Sequence, residues 1–165
     1  MKRIMCRTLQ CALTTVFVIG FTGLAHAQID GKSYSPASCT LVFNGTSYSN
    51  PTHTIIPGTG FSNTSGGSLY VTCPIVKENE YSKTGLAFAE VFLDNPSGST
   101  TSCSVYSFTV FGDQVQSPVW VSTSAAGRVG LILSSPSKSD YWGSYSIMCQ
   151  LPNRGVIKSY TIQEN

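Results

Sequence analysis

Charged residues are scarce in this sequence. Asp, Glu, Lys and Arg together make up 11% of the chain, against 41% hydrophobic residues. Amphipathic helices usually carry Glu, Lys and Gln on their water-facing side, and no segment here has a convincing 3.6-residue hydrophobic period. Abundant Ser, Thr and Tyr suit the water-facing sides of β-strands instead. The composition therefore excludes a mainly helical fold and predicts an all-β one.

The sequence also lacks a basic cluster outside its first residues. Lys2, Arg3 and Arg7 belong to the amino-terminal segment, and all eight acidic residues follow it. Without residues 1–27, seven basic residues face eight acidic ones, a net charge of about −1. Nucleic acids and anionic membranes attract proteins through basic patches. We therefore expect neither as a partner.

No hydrophobic run is long enough to remain as a membrane anchor. An apolar stretch covers residues 11–25, short of the roughly 20 residues that span a bilayer. It follows a basic start and precedes Ala25-His26-Ala27, whose small residues suit a signal peptidase. Residues 1–27 are therefore predicted to be a signal peptide cleaved after Ala27. We expect a secreted or periplasmic protein with no membrane span after cleavage.

No Cys-x-x-Cys pair occurs, which disfavours a zinc site. Four cysteines, widely spaced, remain after cleavage: Cys39, Cys73, Cys103 and Cys149. An even number of cysteines in an exported chain predicts disulfides. Three pairings are possible, and we favour Cys39–Cys73 with Cys103–Cys149.

Short alternating segments account for most of the remaining chain. We expect a loose lead-in over residues 28–38 and one domain over residues 39–165, with a loop over residues 58–67. Strands are predicted at residues 39–43, 52–56, 69–75, 86–93, 102–111, 118–123, 128–133, 144–151 and 156–162. Such a series indicates a single antiparallel β-sandwich, jelly-roll or immunoglobulin-like, with a closed barrel as the alternative.

Three of these strands carry finer signals. Pro74 has no N–H to donate, so its strand either ends there or lies at an edge. Because apolar residues alternate from Ala87 to Leu93, every second residue of this segment is predicted to lie on one apolar face. In the strand over residues 102–111, Cys103 and Val105 share one side whereas Tyr106 and Phe108 share the other. That switch predicts a bulge or burial on both faces.

Several segments in a fixed order resemble a known group of proteins. They are Cys73-Pro74-Ile75-Val76, Ala89-Glu90-Val91, Ser102 to Tyr106, Trp142 to Pro152 with its Tyr-x-Ile-x-Cys-x-Leu-Pro pattern, and the closing Ser159 to Glu164. Over residues 39–164 the chain resembles short exported proteins of Gram-negative bacteria that have no assigned function. The resemblance implies an exported domain and says nothing about activity.

Groups for catalysis are few. After cleavage the only histidine is His53, and no Gly-x-Ser-x-Gly elbow is present. Glu90 and Asp94, four residues apart on one strand, would lie about 13 Å apart, beyond the range of glycosidase carboxylates. Glu78 and Glu80 would lie closer together, and the segment Glu78-Asn79-Glu80 is also a candidate calcium loop. A solvated loop is the better interpretation of this segment. We expect no enzyme activity and no cofactor.

Aromatic residues give the most specific functional hypothesis. Trp120, Tyr141, Trp142 and Tyr145 are candidates for a flat platform on which sugar rings stack. In the alternative interpretation, Trp120 fills the core while Tyr141 and Trp142 clamp a turn. We therefore expect an exported, non-enzymatic structural or interaction module, with a carbohydrate-binding module as the alternative. Its partner would be a glycan or an envelope protein.

Overall fold

The structure is a computed structural model that describes residues 31–42, 53–56, 60–78, 81 and 83–165. Within these residues the secondary structure is almost entirely β-strand, with one short 3₁₀ turn. Two antiparallel sheets pack face to face, so the fold is a β-sandwich, as the sequence predicts. In the described part of the chain, no helix is long and apolar enough to cross a membrane. The predicted signal peptide lies outside the described residues.

The described residues form eleven strands. In order they are β1 (Gly31–Tyr34), β2 (Thr40–Leu41), β3 (His53–Ile56), β4 (Gly60–Asn63), β5 (Leu69–Ile75), β6 (Leu86–Asn95), β7 (Thr101–Phe108), β8 (Val121–Thr123), β9 (Gly127–Ile132), β10 (Ser144–Leu151) and β11 (Val156–Glu164). The 3₁₀ turn, Pro36–Ser38, connects β1 to β2.

Sheet A has the order β3-β4-β11-β6-β9, and β1 also pairs with β11. Sheet B has the order β2-β5-β10-β7-β8. The strand after β5 belongs to sheet A and the strand after β9 belongs to sheet B, so the chain crosses between the sheets. The loops at residues 76–85 and 133–143 make these two crossings at the same end of the sandwich.

The core lies between the sheets and follows from the two-residue period of each strand. Sheet B contributes alternate residues of β5, β7 and β10, and sheet A contributes alternate residues of β6, β9 and β11. The largest fully buried side chains are Tyr160, Phe61, Leu93, Ile147, Leu151, Ile157 and Ile162. Tyr160 also stacks on Tyr34, with ring centroids 5.1 Å apart.

Two disulfides join Cys39 to Cys73 and Cys103 to Cys149, the pairing that the sequence analysis favours. Both lie in sheet B: Cys73 belongs to β5, and Cys103 faces Cys149 directly across β7 and β10. Disulfides of this kind are typical of an oxidising compartment outside the cytoplasm. Neither bridge crosses between the sheets, so apolar packing holds the two sheets together.

Two predicted non-strand segments are in fact strands. Residues 31–34, assigned to a loose lead-in, form β1 and pair with Tyr160 to Gln163 of β11. Residues 60–63, assigned to a loop, form β4 between β3 and β11. Gly60 has φ +117°, and a Cβ there would lie 2.1 Å from the Ile157 carbonyl oxygen. The glycines that indicated a loop therefore allow a close strand pairing.

One detail of a single strand also differs from prediction, and in a second strand the structure decides between two predicted alternatives. Ala87 is exposed rather than inward, because a register shift between β6 and β11 at Gln163–Glu164 reverses the alternation there. In β7 the register with β10 is unbroken from Ser102 to Phe108, so no bulge occurs. Burial on both faces explains its pattern instead, since Ser104 is fully buried on the outer side.

Candidate functional site

The candidate site is the outer face of sheet B, the side turned away from the core. Since Val71, Cys103 and Ile147 point inward, the residues next to them in each strand point outward. The described strands of sheet B contain no Asp, Glu, Lys, Arg or His. This face is therefore built mainly from hydroxyl, amide and aromatic side chains, with Met148 and Pro74 among them, and its described strands carry no charge.

Four aromatic side chains form a connected row on this face. The Trp120 ring centroid lies 6.4 Å from those of Tyr70 and of Tyr106, with interplanar angles of 81° and 80°. Phe108 stacks almost parallel to Tyr106, with centroids 5.8 Å apart. We call Tyr70, Trp120, Tyr106 and Phe108 the aromatic row. Because Trp120 is perpendicular to both tyrosines, the row is angular rather than a single flat platform.

The chain segment before β8 places Trp120 on the row. It runs beside β7, where the Val115 N–H donates to the Ser107 carbonyl over 2.8 Å. The Ser104 hydroxyl then donates to the Val119 carbonyl over 3.0 Å and is covered by this segment. Trp120 follows directly, 40% exposed, with its ring between the two tyrosines.

One tyrosine of the row, Tyr106, has a shifted ionisation. Burial raises the pKa of Tyr106 above its ordinary value of 10.0, and the nearby Tyr70 raises it further. A hydrogen bond with the Trp120 side chain acts in the opposite direction. The Tyr106 phenol is therefore neutral at physiological pH and available as a hydrogen-bond donor.

A second aromatic pair lies at the end of the sandwich where the chain crosses between sheets. The Tyr81 and Trp142 rings meet edge to face with centroids 5.1 Å apart, and Trp142 is 54% exposed. Trp142 has φ +57°, in the left-handed region that bulky residues rarely adopt. We call Tyr81 and Trp142 the end pair.

Two lysines hold the turn that presents the end pair. The Lys77 ammonium donates to the Asp140 carbonyl over 2.6 Å, and the Lys83 ammonium lies 4.3 Å from the centre of the Tyr141 ring. The Gly143 N–H closes the turn on the Asp140 carbonyl over 3.2 Å. These contacts fix the turn just before β10.

The four predicted platform residues do not come together. Trp120 lies in the aromatic row and Trp142 in the end pair, whereas Tyr141 contacts Lys83 instead. The alternative interpretation of Trp120 as a core residue is wrong, because it is on the solvent side of sheet B.

Tyr145 is not a surface residue at all. It is 3% exposed and faces the core, where its hydroxyl donates to the Thr84 carbonyl over 3.2 Å. Its position follows from alternation, because Tyr145 has the same parity as Cys149 and Ile147 in β10. Burial raises the pKa of its phenol. A platform that includes Tyr145 is therefore wrong.

The sequence analysis missed Tyr70, Tyr106 and Phe108 of the row and Tyr81 of the end pair as site residues. A usable signal existed, because aromatic side chains at Tyr70, Tyr106 and Phe108 alternate with core residues and so point outward. An outward aromatic residue on several neighbouring strands indicates a shared surface. Which strands are neighbours is set by the topology, and this was not predicted.

The carboxylates considered for catalysis are separated. Glu78 forms an ion pair with Lys32, and its partner Glu80 lies outside the described residues, as does Asn79 of the candidate calcium loop. Glu90 lies on the outer face of sheet A, where its carboxylate covers Gly130. The side chain of His53 is also outside the described part. Among the described residues, no group of three or more His, Cys, Asp or Glu is placed to hold a metal.

Comparisons with known proteins give one distant structural neighbour to report. No family model and no curated protein sequence matches the chain. Among solved structures, the isomalto-dextranase of Arthrobacter globiformis T6, solved with panose, aligns with a TM-score of 0.44 and 12% identity. The alignment covers 80% of this chain and 23% of that protein. The resemblance to short exported Gram-negative proteins stays a prediction.

Proposed function

We propose that the protein is an exported, non-enzymatic binding module that holds an uncharged glycan on the outer face of sheet B. The observation that carries this proposal is the aromatic row on a sheet face without charge. Water-facing strand residues are usually polar, so exposed and half-exposed rings there need a partner. The two disulfides support export, because they persist in oxidising compartments.

The chemistry of the face favours a sugar over other ligands. Aromatic rings offer flat apolar surface, and a Tyr or Trp also offers a polar donor at its edge. Gln150, Ser146 and Ser144 of β10 lie outward opposite Tyr70, Tyr106 and Phe108 respectively, and they supply amide and hydroxyl groups. A neutral sugar presents apolar C–H faces rimmed by hydroxyls, which this combination complements.

A charged ligand is disfavoured by the same residues. An anionic glycan or nucleic acid needs cationic groups to replace its counterions, and the described strands of sheet B supply none. A protein partner is the other candidate for an aromatic surface, since binding hot spots are rich in Trp, Tyr and Arg. This face holds aromatic residues without arginine.

A binding panel tests the proposal. The mature protein is run in native gels that contain dextran, starch, hydroxyethyl cellulose, xylan or β-glucan, and retarded mobility is followed by calorimetry. We expect at least one neutral polysaccharide to bind, and Trp120→Ala to weaken it about tenfold or more. Ile132→Ala, a matched change on the outer face of sheet A, should leave affinity unchanged. Turnover of any of these polymers would contradict a non-enzymatic role.

A further inference from the structure

We propose that the ligand is a linear chain of neutral sugars that lies along β10 and contacts the aromatic row and the end pair at once. This inference rests on the proposed function and specifies its ligand class. It distinguishes recognition of an extended polymer from recognition of a single sugar or a chain end. Three features of the structure support it: the length of the row, the position of the end pair, and the conformation of Trp142.

The aromatic row is too long for one sugar. Tyr70 pairs with Gln150 of β10, and Phe108 pairs with Ser144 of the same strand. Those two β10 positions are six residues apart, which corresponds to about 20 Å of strand. The successive centroid separations of 6.4, 6.4 and 5.8 Å leave no gap between rings. A ligand that touches every ring must therefore contain several units.

The end pair continues the row rather than forming a distant site. Trp142 precedes Ser144 by two residues, and Ser144 faces Phe108 across β7 and β10. The turn packs closely on that strand, since a Cβ at Gly143 would lie 2.3 Å from the Phe108 carbonyl oxygen. The exposed Trp142 indole thus lies just beyond the Phe108 end of the row.

The backbone at Trp142 is held in a conformation that its side chain disfavours. Glycine or asparagine would fit φ +57° better than tryptophan. Strained residues persist when the surrounding structure holds them, and they concentrate at ligand sites. Here the strain presents a half-exposed indole beside Tyr81 instead of burying it.

The experiment measures affinity against chain length. Malto-, isomalto-, cello- and xylo-oligosaccharides, each from the disaccharide to the decasaccharide, are titrated by calorimetry. In the series that binds, the affinity of the mature protein should rise about tenfold or more once the chain reaches both aromatic groups, because the second contact becomes intramolecular. Trp142→Asn, which suits the left-handed backbone, should lose this rise with chain length.

Two further variants, Trp120→Ala and Ile132→Ala, serve as controls in the chain-length titration. Trp120→Ala should weaken short and long chains alike, and Ile132→Ala should match the unmodified protein. Equal affinity for short and long chains would overturn the extended-chain inference while leaving the proposed function intact, as would an unchanged length profile in Trp142→Asn. Failure of every oligosaccharide and polymer to bind would overturn both.

Discussion

A single buried amide joins two loops at the end of the sandwich opposite the end pair. The Asn63 side chain is fully buried and donates to the carbonyls of Gly67, Leu151 and Pro152 at 2.7, 2.9 and 3.0 Å. Its carbonyl oxygen accepts from the Ser65 N–H at 2.9 Å. The amide thereby connects the β4–β5 loop to the β10–β11 turn.

Replacing Asn63 with leucine should destabilise the domain strongly. Leucine is similar in size but removes the donor to the Leu151 carbonyl and the acceptor of the Ser65 N–H, and each buried group left unsatisfied costs about 1–3 kcal/mol. We expect the free energy of unfolding, measured in urea, to fall by at least about 2 kcal/mol. Asn153→Ala removes only an exposed contact with Gly66 and should change it by less than about 0.5 kcal/mol. Equal effects would contradict this role.

The core tyrosine Tyr160 makes the free energy of unfolding depend on pH in the alkaline range. Its hydroxyl donates to the Pro74 carbonyl over 2.7 Å, and burial raises its pKa above the ordinary value of 10.0. The folded state therefore keeps the phenol proton that the unfolded chain releases. This contribution is fully present below pH 10.0 and is lost as the pH rises from there toward the raised pKa.

Tyr160→Phe tests that dependence. The melting temperature of the unmodified protein should fall steeply above pH 10, and the variant should show a shallower fall on a lower baseline. Tyr141→Phe, at an exposed ring outside the core, serves as the control. An unchanged alkaline slope in Tyr160→Phe would show that the Tyr160 phenol does not carry the effect.

At the scale of elements, β10 organises sheet B. It pairs with β5 on one side and with β7 on the other, each over seven residue pairs. The Cys103–Cys149 bridge ties it to β7. All residues of the aromatic row are therefore positioned relative to β10, and the end pair lies at its start.

Removing the Cys103–Cys149 bridge should cost stability without changing the fold. The bridge joins two cysteines that are 46 residues apart in the sequence. The loss of chain entropy in the unfolded state gives such a bridge a stabilisation of at most about 4 kcal/mol. We expect Cys103→Ala with Cys149→Ala to lower the unfolding free energy by about 2–4 kcal/mol in guanidinium titrations. A loss under about 1 kcal/mol would show that the strand pairing alone holds β7 to β10.

Strands with strict alternation could be predicted from the sequence, and the others could not. Every second residue from Leu69 to Ile75 and from Tyr145 to Leu151 is buried as the pattern predicts. Pro74 has an open side within the sheet, because β2 pairs only with Val71 and Thr72, whereas Ser146 of β10 pairs with Pro74 on the other side. β1 and β4 are defined by pairing with β11, a long-range contact without a local apolar pattern.

The candidate site was predictable only in part, for the same reason. Trp120 was identified from its residue type, but its neighbours Tyr70 and Tyr106 come from strands that become close only through the order β5-β10-β7. Tyr145 was misassigned although its parity with Cys149 already placed it inward. Local alternation decides which face a residue occupies, and topology decides which residues share that face.

At the scale of the whole molecule, the two outer faces differ in charge. Sheet A carries Glu90, Asp94 and Arg128 on strands β6 and β9, with Phe92 and Ile132 exposed among them. The described strands of sheet B carry no charged side chain. The charged residues on the outer face of sheet A contribute to solubility. The outer face of sheet B is left suited to an uncharged ligand.

Binding should therefore be insensitive to salt. Raising the salt to about 1 M shortens the Debye length to about 3 Å and removes most attraction between exposed charges. We expect the glycan affinity, measured by calorimetry at low and high sodium chloride, to change less than about twofold. A loss of ten times or more would indicate that charged residues from the loops or from sheet A make the main contacts.

The most direct measurement of the central claim uses the two tryptophans of the chain, Trp120 and Trp142. In a nitrogen–proton correlation spectrum their indole N–H groups give two side-chain signals, which Trp120→Phe and Trp142→Phe assign. Addition of a neutral polysaccharide from the panel should shift the Trp120 signal together with the backbone signals of β5, β7 and β10. Shifts confined to β6 and β9 of sheet A, with the Trp120 signal unmoved at saturation, would contradict the account.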